Sequence, residues 1–142
     1  MFGWIKKKTP AAEKPKPLGQ LGEEFAQKEY ETRGFKVIAK NEYNKKGLRR
    51  GEIDFIATDK NKIIFVEVKT RKSSGDRFGQ GVESVNRFKQ IKLISAAKIY
   101  LLNNPKYQKL QPQIDVCVID YNPFDKAFKC AKILMNAVED WN

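Results

Sequence analysis

Three ionisable side chains lie in two neighbouring apolar stretches, where a soluble core would not place them without a function. Asp54 lies in the stretch Gly-Glu-Ile-Asp-Phe-Ile-Ala (51–57), and Glu67 and Lys69 lie in the stretch Ile-Ile-Phe-Val-Glu-Val-Lys (63–69). A polar, turn-forming segment separates the two stretches, which indicates a β-hairpin. Because side chains alternate between the faces of a strand, all three ionisable groups can share one face of this hairpin.

The predicted hairpin brings two carboxylates together. If residues 59–62 form a four-residue loop, Asp54 lies directly opposite Glu67, at a Cβ separation of about 4.5–5.5 Å. Carboxylates at that distance repel each other unless a cation lies between them or one of them takes up a proton. Oxygen ligands of this kind suit Mg2+ or Mn2+, and Lys69 adds a positive charge beside the metal. This combination predicts phosphodiester hydrolysis; the alternative is a salt bridge at the strand end, for which Glu52 would serve Lys69 equally well.

The charge of the chain narrows the class of partner. Its 142 residues suffice for one domain with a sizeable core, and 28 Lys and Arg against 17 Asp and Glu give a net charge of +11. That charge indicates a polyanionic partner, first nucleic acid and second an anionic membrane surface, unless it is only a generally basic surface. The chain has no histidine, which excludes Ser-His-Asp and Cys-His catalysis and histidine metal ligands.

Residues 1–17 are rich in Lys and Pro and are predicted to be a flexible basic tail, followed by one folded domain over 18–142. Two cysteines are too few for a zinc cluster and favour a reducing cytoplasm. No apolar run approaches the ~20 residues that are needed to span a membrane.

The first predicted helix covers residues 18–34, and Gly34 is its expected stop. Glu23 and Glu24 lie in its first turns, where the helix dipole favours acids. We interpret Glu24 as a surface residue, whereas Glu23 lies closer to the edge of the apolar stripe. The pattern leaves Glu23 equally open to a surface role and to a position beside a metal at the sheet edge. The apolar stripe consists of Leu18, Leu21, Phe25, Ala26 and Tyr30.

Basic loops are predicted on either side of the acidic hairpin. A strand that begins at Phe35 leads into the loop 44–51, and the strand 63–69 leads into a flexible loop over 70–79. The strand 63–69 is apolar on both faces for most of its length, which is typical of a central strand in a covered sheet. The position of the loops favours contact with a phosphate backbone over solvated turns. The basic residues singled out in these loops are Arg49, Arg50, Arg71 and Lys72.

A second helix is predicted to begin after Asn86, its N-cap, and to end before Pro105. Lys89 lies in the first turn of this helix, against the preference of the helix dipole. A phosphate beside the helix N-terminus would explain this lysine, and a tolerated surface lysine would explain it as well.

The last part of the chain is predicted to hold an inner strand over 114–119 and an edge strand within 126–137. Asp115, on the inner strand, is interpreted as a structural hydrogen-bonding group. If residues 122–125 form the loop between the strands, Cys117 and Cys130 face each other, and two reduced thiols are favoured over a disulfide there.

These segments together resemble a known family. The two stretches of the hairpin are similar to the PD-(D/E)xK nuclease signature, reduced to Asp54, Glu67 and Lys69, with Ile53 where the signature has its proline. From residue 18 to about 139 the chain resembles the YraN-like family of uncharacterised bacterial proteins, which is related to archaeal Holliday junction resolvases. Further matching pieces are Gly22-Glu23, Ala26, Tyr30, Gly34-Phe35, Gly51-Glu52, Phe78-Gly79, Glu83-Ser84-Val85, Lys89 and Ile114-Asp115-Val116.

The resemblance implies a restriction endonuclease-like, three-layer α/β core, in which helices flank a mixed central β-sheet. It also implies a divalent metal, nucleic-acid binding, and Glu23 as the first-helix glutamate of the resolvase pattern. Asp54 and Glu67 are then the metal ligands, with Glu23 as a further ligand and the main-chain carbonyl of Val68 as another candidate. Lys69 is expected to orient the attacking water or to stabilise the pentavalent phosphorus.

The function expected from the sequence is a Mg2+- or Mn2+-dependent cytoplasmic endonuclease, which acts on DNA in preference to RNA. Structure-selective binding, as of branched DNA, is favoured because none of the basic side chains reads bases in an obvious way. The alternatives are a nucleic-acid-binding protein with little or no turnover, and a peripheral membrane or interaction protein that uses the basic tail. A resolvase needs two active sites, hence a dimer, but the sequence contains no dimerisation signal. The residues expected to follow the phosphate backbone are Arg49, Arg50, Arg71, Lys72 and Lys89.

Overall fold

The architecture follows from one strand that is apolar on both faces and therefore needs a covering layer on each side. The computed structural model describes residues 14–42, 53–73 and 86–137. The elements in chain order are α1 (Leu18–Thr32), β1 (Lys36–Glu42), β2 (Ile53–Thr58), β3 (Lys62–Lys72), α2 (Arg87–Asn103), a 3-10 turn (Pro105–Tyr107), β4 (Gln111–Asn122) and β5 (Ala127–Leu134).

Within the described residues, the strands form one five-stranded sheet in the order β1-β2-β3-β4-β5. β3 pairs antiparallel with β2 and parallel with β4, and the two outer pairs are antiparallel, so the sheet is mixed. Parallel strands need a crossover connection, and α2 lies in the connection between β3 and β4. The predicted α/β architecture, with helices on both faces of a mixed sheet, is confirmed.

The core consists of two apolar layers that β3 separates. Ile64 and Val66 pack on the face that α1 covers, with Ala26 and Tyr30 of that helix. The opposite face carries the neighbouring side chains of β3 and the buried residues of α2, namely Ile63, Phe65, Leu93 and Ala97. β3 is thus the covered central strand that the sequence predicts.

Local signals in the sequence set most element boundaries. Gly34 adopts φ +94° directly after α1, a conformation that residues other than glycine rarely take. The side chain of Asn86 accepts a hydrogen bond from the backbone N–H of Lys89 at 2.8 Å and so caps α2. Thr58 pairs with Ile63, which leaves the predicted four-residue loop 59–62 between β2 and β3.

A buried hydrogen-bond network joins α1 to the sheet. The hydroxyl of Tyr30 donates to Asp115 Oδ2 at 2.7 Å, and Asp115 Oδ1 accepts from Gln113 Nε2 at 2.8 Å and from the backbone N–H of Asn136 at 2.9 Å. Burial and the neighbouring Asp115 raise the pKa of Tyr30, so its hydroxyl stays a donor. The structural role predicted for Asp115 is confirmed.

Two sequence predictions about loops are wrong. Residues 70–72, expected in a flexible loop, extend β3, because the parallel ladder with β4 continues as far as the pair Lys72–Tyr121. Arg71 and Lys72 therefore lie on a strand.

The loop between β4 and β5 also differs from the prediction. It covers residues 123–126, because Asn122 pairs with Ala127, and Cys130 consequently lies opposite Ile119 instead of Cys117. The two thiols remain free and close together under α1. Burial raises the pKa of both, which favours neutral thiols.

α1 approaches β3 closely at Gly22. A Cβ added there would lie 1.8 Å from Thr70 Oγ1 and 2.8 Å from Thr70 Cβ, whereas a Cβ at Gly19 would meet nothing within 4 Å. We expect Gly22→Ala to lower the free energy of unfolding by about 1–3 kcal/mol through overpacking. Gly19→Ala, the matched control, should raise it by about 0.5–1 kcal/mol through helix propensity. Urea denaturation of both variants measures this difference, and equal effects would contradict the close approach.

Candidate metal and nucleic-acid site

The candidate site lies where β2 and β3 separate. Their ladder runs from Thr58–Ile63 to Phe55–Val66. Beyond that pair, β2 remains paired with β1, and β3 remains paired with β4. Asp54 and Glu67 are the next residues on the two diverging strands, at the fork between β2 and β3. They occupy opposite positions in the register that the four-residue loop 59–62 sets.

Asp54 is partly buried in this fork and connects the two strands. Its Oδ2 accepts a hydrogen bond from the backbone N–H of Val68 at 2.7 Å. Burial raises the pKa of Asp54 well above its usual range, against the opposing effect of that hydrogen bond. The carboxyl group of Glu23 raises this pKa further, by charge repulsion and by a side-chain hydrogen bond. The first-helix glutamate therefore reaches Asp54, and the two carboxyl groups interact directly.

Glu67 is also held away from solvent, with its side chain 13% exposed. Burial, followed by the negative charge of Asp54, raises the pKa of Glu67 to about 7. Lys89 and Lys69 act in the opposite direction. At neutral pH this carboxyl group is poised between its two protonation states, a property often found at functional sites.

Lys89 makes the direct contact with Glu67. Its Nζ lies 3.2 Å from Glu67 Oε1, and its side chain is 41% exposed. The lysine in the first turn of α2, for which the sequence left a phosphate or a surface position open, thus meets a carboxylate of the protein itself. Lys69 lies two residues beyond Glu67 on β3, and its positive charge lowers the pKa of Glu67.

The site contains the right donors for a hard divalent cation, but the described residues do not present a finished metal cage. Among them, no three His, Cys, Asp or Glu side chains already converge on a point that could hold a metal ion. Asp54 Oδ2 is engaged with Val68, and Glu67 Oε1 with Lys89. The carboxyl groups of Glu23, Asp54 and Glu67 nevertheless fit Mg2+ or Mn2+ by donor type, because such a cation would offset the burial and charge repulsion that raise the pKa of Asp54 and of Glu67.

Arg71 has a different environment from the one predicted for a backbone-binding residue. Its Nε donates to Asp120 Oδ1 at 2.6 Å, and the two side chains are 26% and 3% exposed. The sequence analysis did not single out Asp120; the available signal was a carboxylate directly after the apolar run 116–119 of β4. Lys72 is exposed at the end of β3. Arg49 and Arg50 lie outside the described residues, so their contact with phosphate stays a prediction.

Neither α1 nor α2 is long and apolar enough to cross a membrane, and the same holds for the rest of the chain that the structure describes.

Comparison with known proteins places the chain among relatives of unassigned activity. Residues 22–119, which include every predicted site residue, match the model of the uncharacterised protein family UPF0102. The chain is 35% identical over 122 residues to the UPF0102 protein TTE1452 of Caldanaerobacter subterraneus, covering 86% of this chain and 94% of the relative.

Two further relatives carry the name of the same family. A UPF0102 protein of Francisella tularensis is 41% identical over 103 residues, covering 72% of this chain and 84% of the relative. The UPF0102 protein CLJ_B2665 of Clostridium botulinum is 32% identical over 124 residues, covering 87% and 95%. The names of these three proteins state the family and no activity.

The raised pKa of Glu67 predicts a pH-dependent loss of stability in the absence of divalent cations. The folded state holds this proton more tightly than the unfolded state, so stability falls as the pH rises from about 4.5 toward about 7. Between pH 5 and pH 8 we expect wild type to lose about 2 kcal/mol relative to Glu67→Gln. Thermal unfolding in EDTA measures the difference. Glu24→Gln, which removes a surface acid paired with Lys16, is the control and should show no such difference from wild type. If stability depends on pH in the same way in wild type and in Glu67→Gln, the prediction is refuted.

Proposed function

The chain belongs to the uncharacterised protein family UPF0102, and we propose that it is a metal-dependent endonuclease that hydrolyses phosphodiester bonds in nucleic acid. This family is the YraN-like family that the sequence resembles, so that expectation is confirmed. The observation that carries the proposal is the position of Asp54 at the fork, where its carboxyl group interacts with Glu23 on one side and with Glu67 on the other. Lys69 and Lys89 act on Glu67 in the same place. Carboxyl groups gathered in this way suit a divalent cation bound next to a phosphate.

In the proposed mechanism, Asp54 and Glu67 hold Mg2+ or Mn2+, and Glu23 is a further ligand, direct or through water. The chemistry that such a cation supplies when bound is acidification of a water molecule and neutralisation of charge on the scissile phosphate. Lys69 orients the attacking water or stabilises the negative charge that develops on the phosphoryl oxygens. Val68 holds Asp54 in place through its backbone N–H, and its carbonyl is the other candidate ligand.

The proposed substrate is DNA ahead of RNA, bound through its backbone. The net charge of +11 supports a polyanionic substrate. Half-exposed Lys89 beside Glu67 and exposed Lys72 at the end of β3 supply positive charge for it. None of these side chains forms the paired donors or acceptors that read base edges, which favours recognition of nucleic-acid shape, as at a branch, over recognition of sequence. We place this activity in the cytoplasm, in keeping with the two free thiols.

A second candidate is nucleic-acid binding with little or no turnover. It is favoured by the contact of Lys89 with Glu67. That contact engages Glu67 Oε1, an oxygen that must be free if it is to bind a metal ion. The two candidates differ in their prediction for metal: a nuclease needs Mg2+ or Mn2+ for cleavage, whereas a simple binder needs neither.

The deciding experiment measures cleavage of branched, double-stranded and single-stranded DNA and of RNA, in Mg2+, in Mn2+ and in EDTA. We expect cleavage of at least one substrate with a divalent cation and none in EDTA. Glu67→Ala and Lys69→Ala should each lower the rate by at least about 100-fold, because they remove a metal ligand and a charge-stabilising group. Nucleic-acid binding, measured by fluorescence anisotropy, should persist in both variants.

Two substitutions on the same elements serve as matched controls. Lys62→Ala removes a lysine at the opposite end of β3, and Glu24→Ala removes the glutamate next to Glu23 that pairs with Lys16 at the surface. Both should cleave at nearly the wild-type rate, while Glu23→Gln should lose about 10- to 100-fold. If wild type cuts none of these substrates and still binds them without regard to metal, the enzyme proposal fails and the binding alternative stands.

A further inference from the structure

The first turn of α2 carries a lysine whose place the proposed mechanism leaves unexplained. A helix N-terminus bears partial positive charge, so a cation there needs an anion nearby. In the structure that anion is Glu67, 3.2 Å from Lys89 Nζ. The same carboxylate is one of the two principal metal ligands of the proposed nuclease site. An ammonium group and a divalent cation therefore compete for one carboxyl group.

The contact between Lys89 and Glu67 can open by a movement of the lysine side chain alone. The backbone of Lys89 is fixed, because its N–H donates to the capping side chain of Asn86 at 2.8 Å. Its side chain is 41% exposed, so the ammonium group lies at the boundary between the fork and solvent. A lysine side chain has a flexible four-carbon stem, which can turn outward while the helix stays in place. Nothing in the packing of α2 has to change for this contact to open, since the buried residues of the helix begin at Leu93.

The other lysine near this end of α2 has a separate environment. Lys92 Nζ lies over the ring of Phe88, 4.5 Å from its centroid. It carries the same charge on the same helix, yet it contacts an aromatic ring and not a carboxylate of the site. Lys92 is therefore the natural comparison for any effect that arises only from the charge of α2.

We propose that Lys89 is an internal counter-ion that a divalent cation displaces from Glu67, and that the displaced ammonium group then binds a phosphate of the nucleic acid. This inference rests on the proposed function, because it assigns Glu67 to the metal. Two positive charges beside one carboxylate repel each other, so cation binding drives the lysine outward. Once released from Glu67, the ammonium group of Lys89 lies at the mouth of the site. There it can bind a phosphate in place of the carboxylate.

Cooperativity between metal and nucleic acid follows from this exchange. If the cation frees Lys89 for phosphate, it strengthens nucleic-acid binding, and nucleic acid must then strengthen cation binding by the same factor. In the absence of nucleic acid, Lys89 weakens cation binding, because its contact with Glu67 has to be broken first. One lysine thus suppresses metal loading of the free protein and promotes it in the complex.

The first experiment titrates Mn2+ into the protein without nucleic acid, by isothermal titration calorimetry and by the electron paramagnetic resonance signal of free Mn2+. We expect Lys89→Gln to bind Mn2+ roughly 3- to 10-fold more tightly than wild type, since a half-exposed ion pair no longer competes. Lys89→Arg, which keeps the charge, should stay close to wild type. Lys92→Gln, the matched control, should change the affinity by less than about twofold, because its ammonium group contacts the ring of Phe88 and does not compete for Glu67.

The second experiment measures binding of a fluorescein-labelled DNA duplex by anisotropy, with and without Mn2+, in a Lys69→Ala background that suppresses cleavage. Mn2+ should strengthen DNA binding several-fold when Lys89 is present, and this gain should disappear in Lys89→Gln. A lysine that only supported the fold would not produce this pattern. Thermal melts establish that each variant is folded.

The outcomes separate this inference from the proposed function. If wild type cleaves nucleic acid in Mg2+ but Lys89→Gln binds Mn2+ no more tightly than wild type, the exchange is refuted and the nuclease stands. If no substrate is cleaved but the two titrations behave as expected, the exchange stands on a binding protein. If neither wild type nor Lys89→Gln binds Mn2+, both proposals fall.

Discussion

The structure depends on how negative charge is compensated at the fork between β2 and β3. Glu23, Asp54 and Glu67 come from three different elements, and burial and charge repulsion both oppose the ionisation of Asp54 and Glu67. The ammonium group of Lys89 compensates part of this charge through its contact with Glu67. Such an arrangement is a poor way to stabilise a fold, because buried charges can often be replaced by apolar groups without loss of stability. Its presence in a small domain supports the proposal that these carboxyl groups bind a cation.

The mixed sheet creates this site through its own geometry. β3 keeps a long parallel ladder with β4, whereas its antiparallel ladder with β2 ends after a few pairs. At the end of that short ladder, the carboxylate of Asp54 takes the backbone N–H of Val68. The helices then complete the site from opposite faces. α1 comes close to β3 at Gly22 and so brings Glu23 to Asp54, while α2 brings Lys89 to Glu67.

The structure also shows that some of the positive charges counted in the sequence are paired with acidic groups of the protein. A net charge of +11 suggests a surface ready for a polyanion, but several cations have partners within the protein. Arg71 is held by the buried Asp120, Lys89 contacts Glu67, and Lys16 pairs with an acid on α1. The internal pairs differ in one respect that matters for function. Arg71 is mostly covered and is held by Asp120 of β4, so it stabilises the sheet. Lys89 lies at the solvent boundary, as the proposed exchange of partners requires.

The sequence by itself determined the features that depend on neighbouring residues. These include the central apolar strand, the four-residue hairpin loop that aligns Asp54 with Glu67, the Asn86 cap and the Gly34 stop. Only the tertiary structure decided which distant groups meet, and three cases show why. A helix periodicity left Glu23 undecided, because its direction matters only once α1 is docked on the sheet. The partner of Lys89 comes from another strand, so the local charge pattern indicated only that an anion was needed. The register of β5 shifted because a turn one residue further along was stabilised by its own hydrogen bonds.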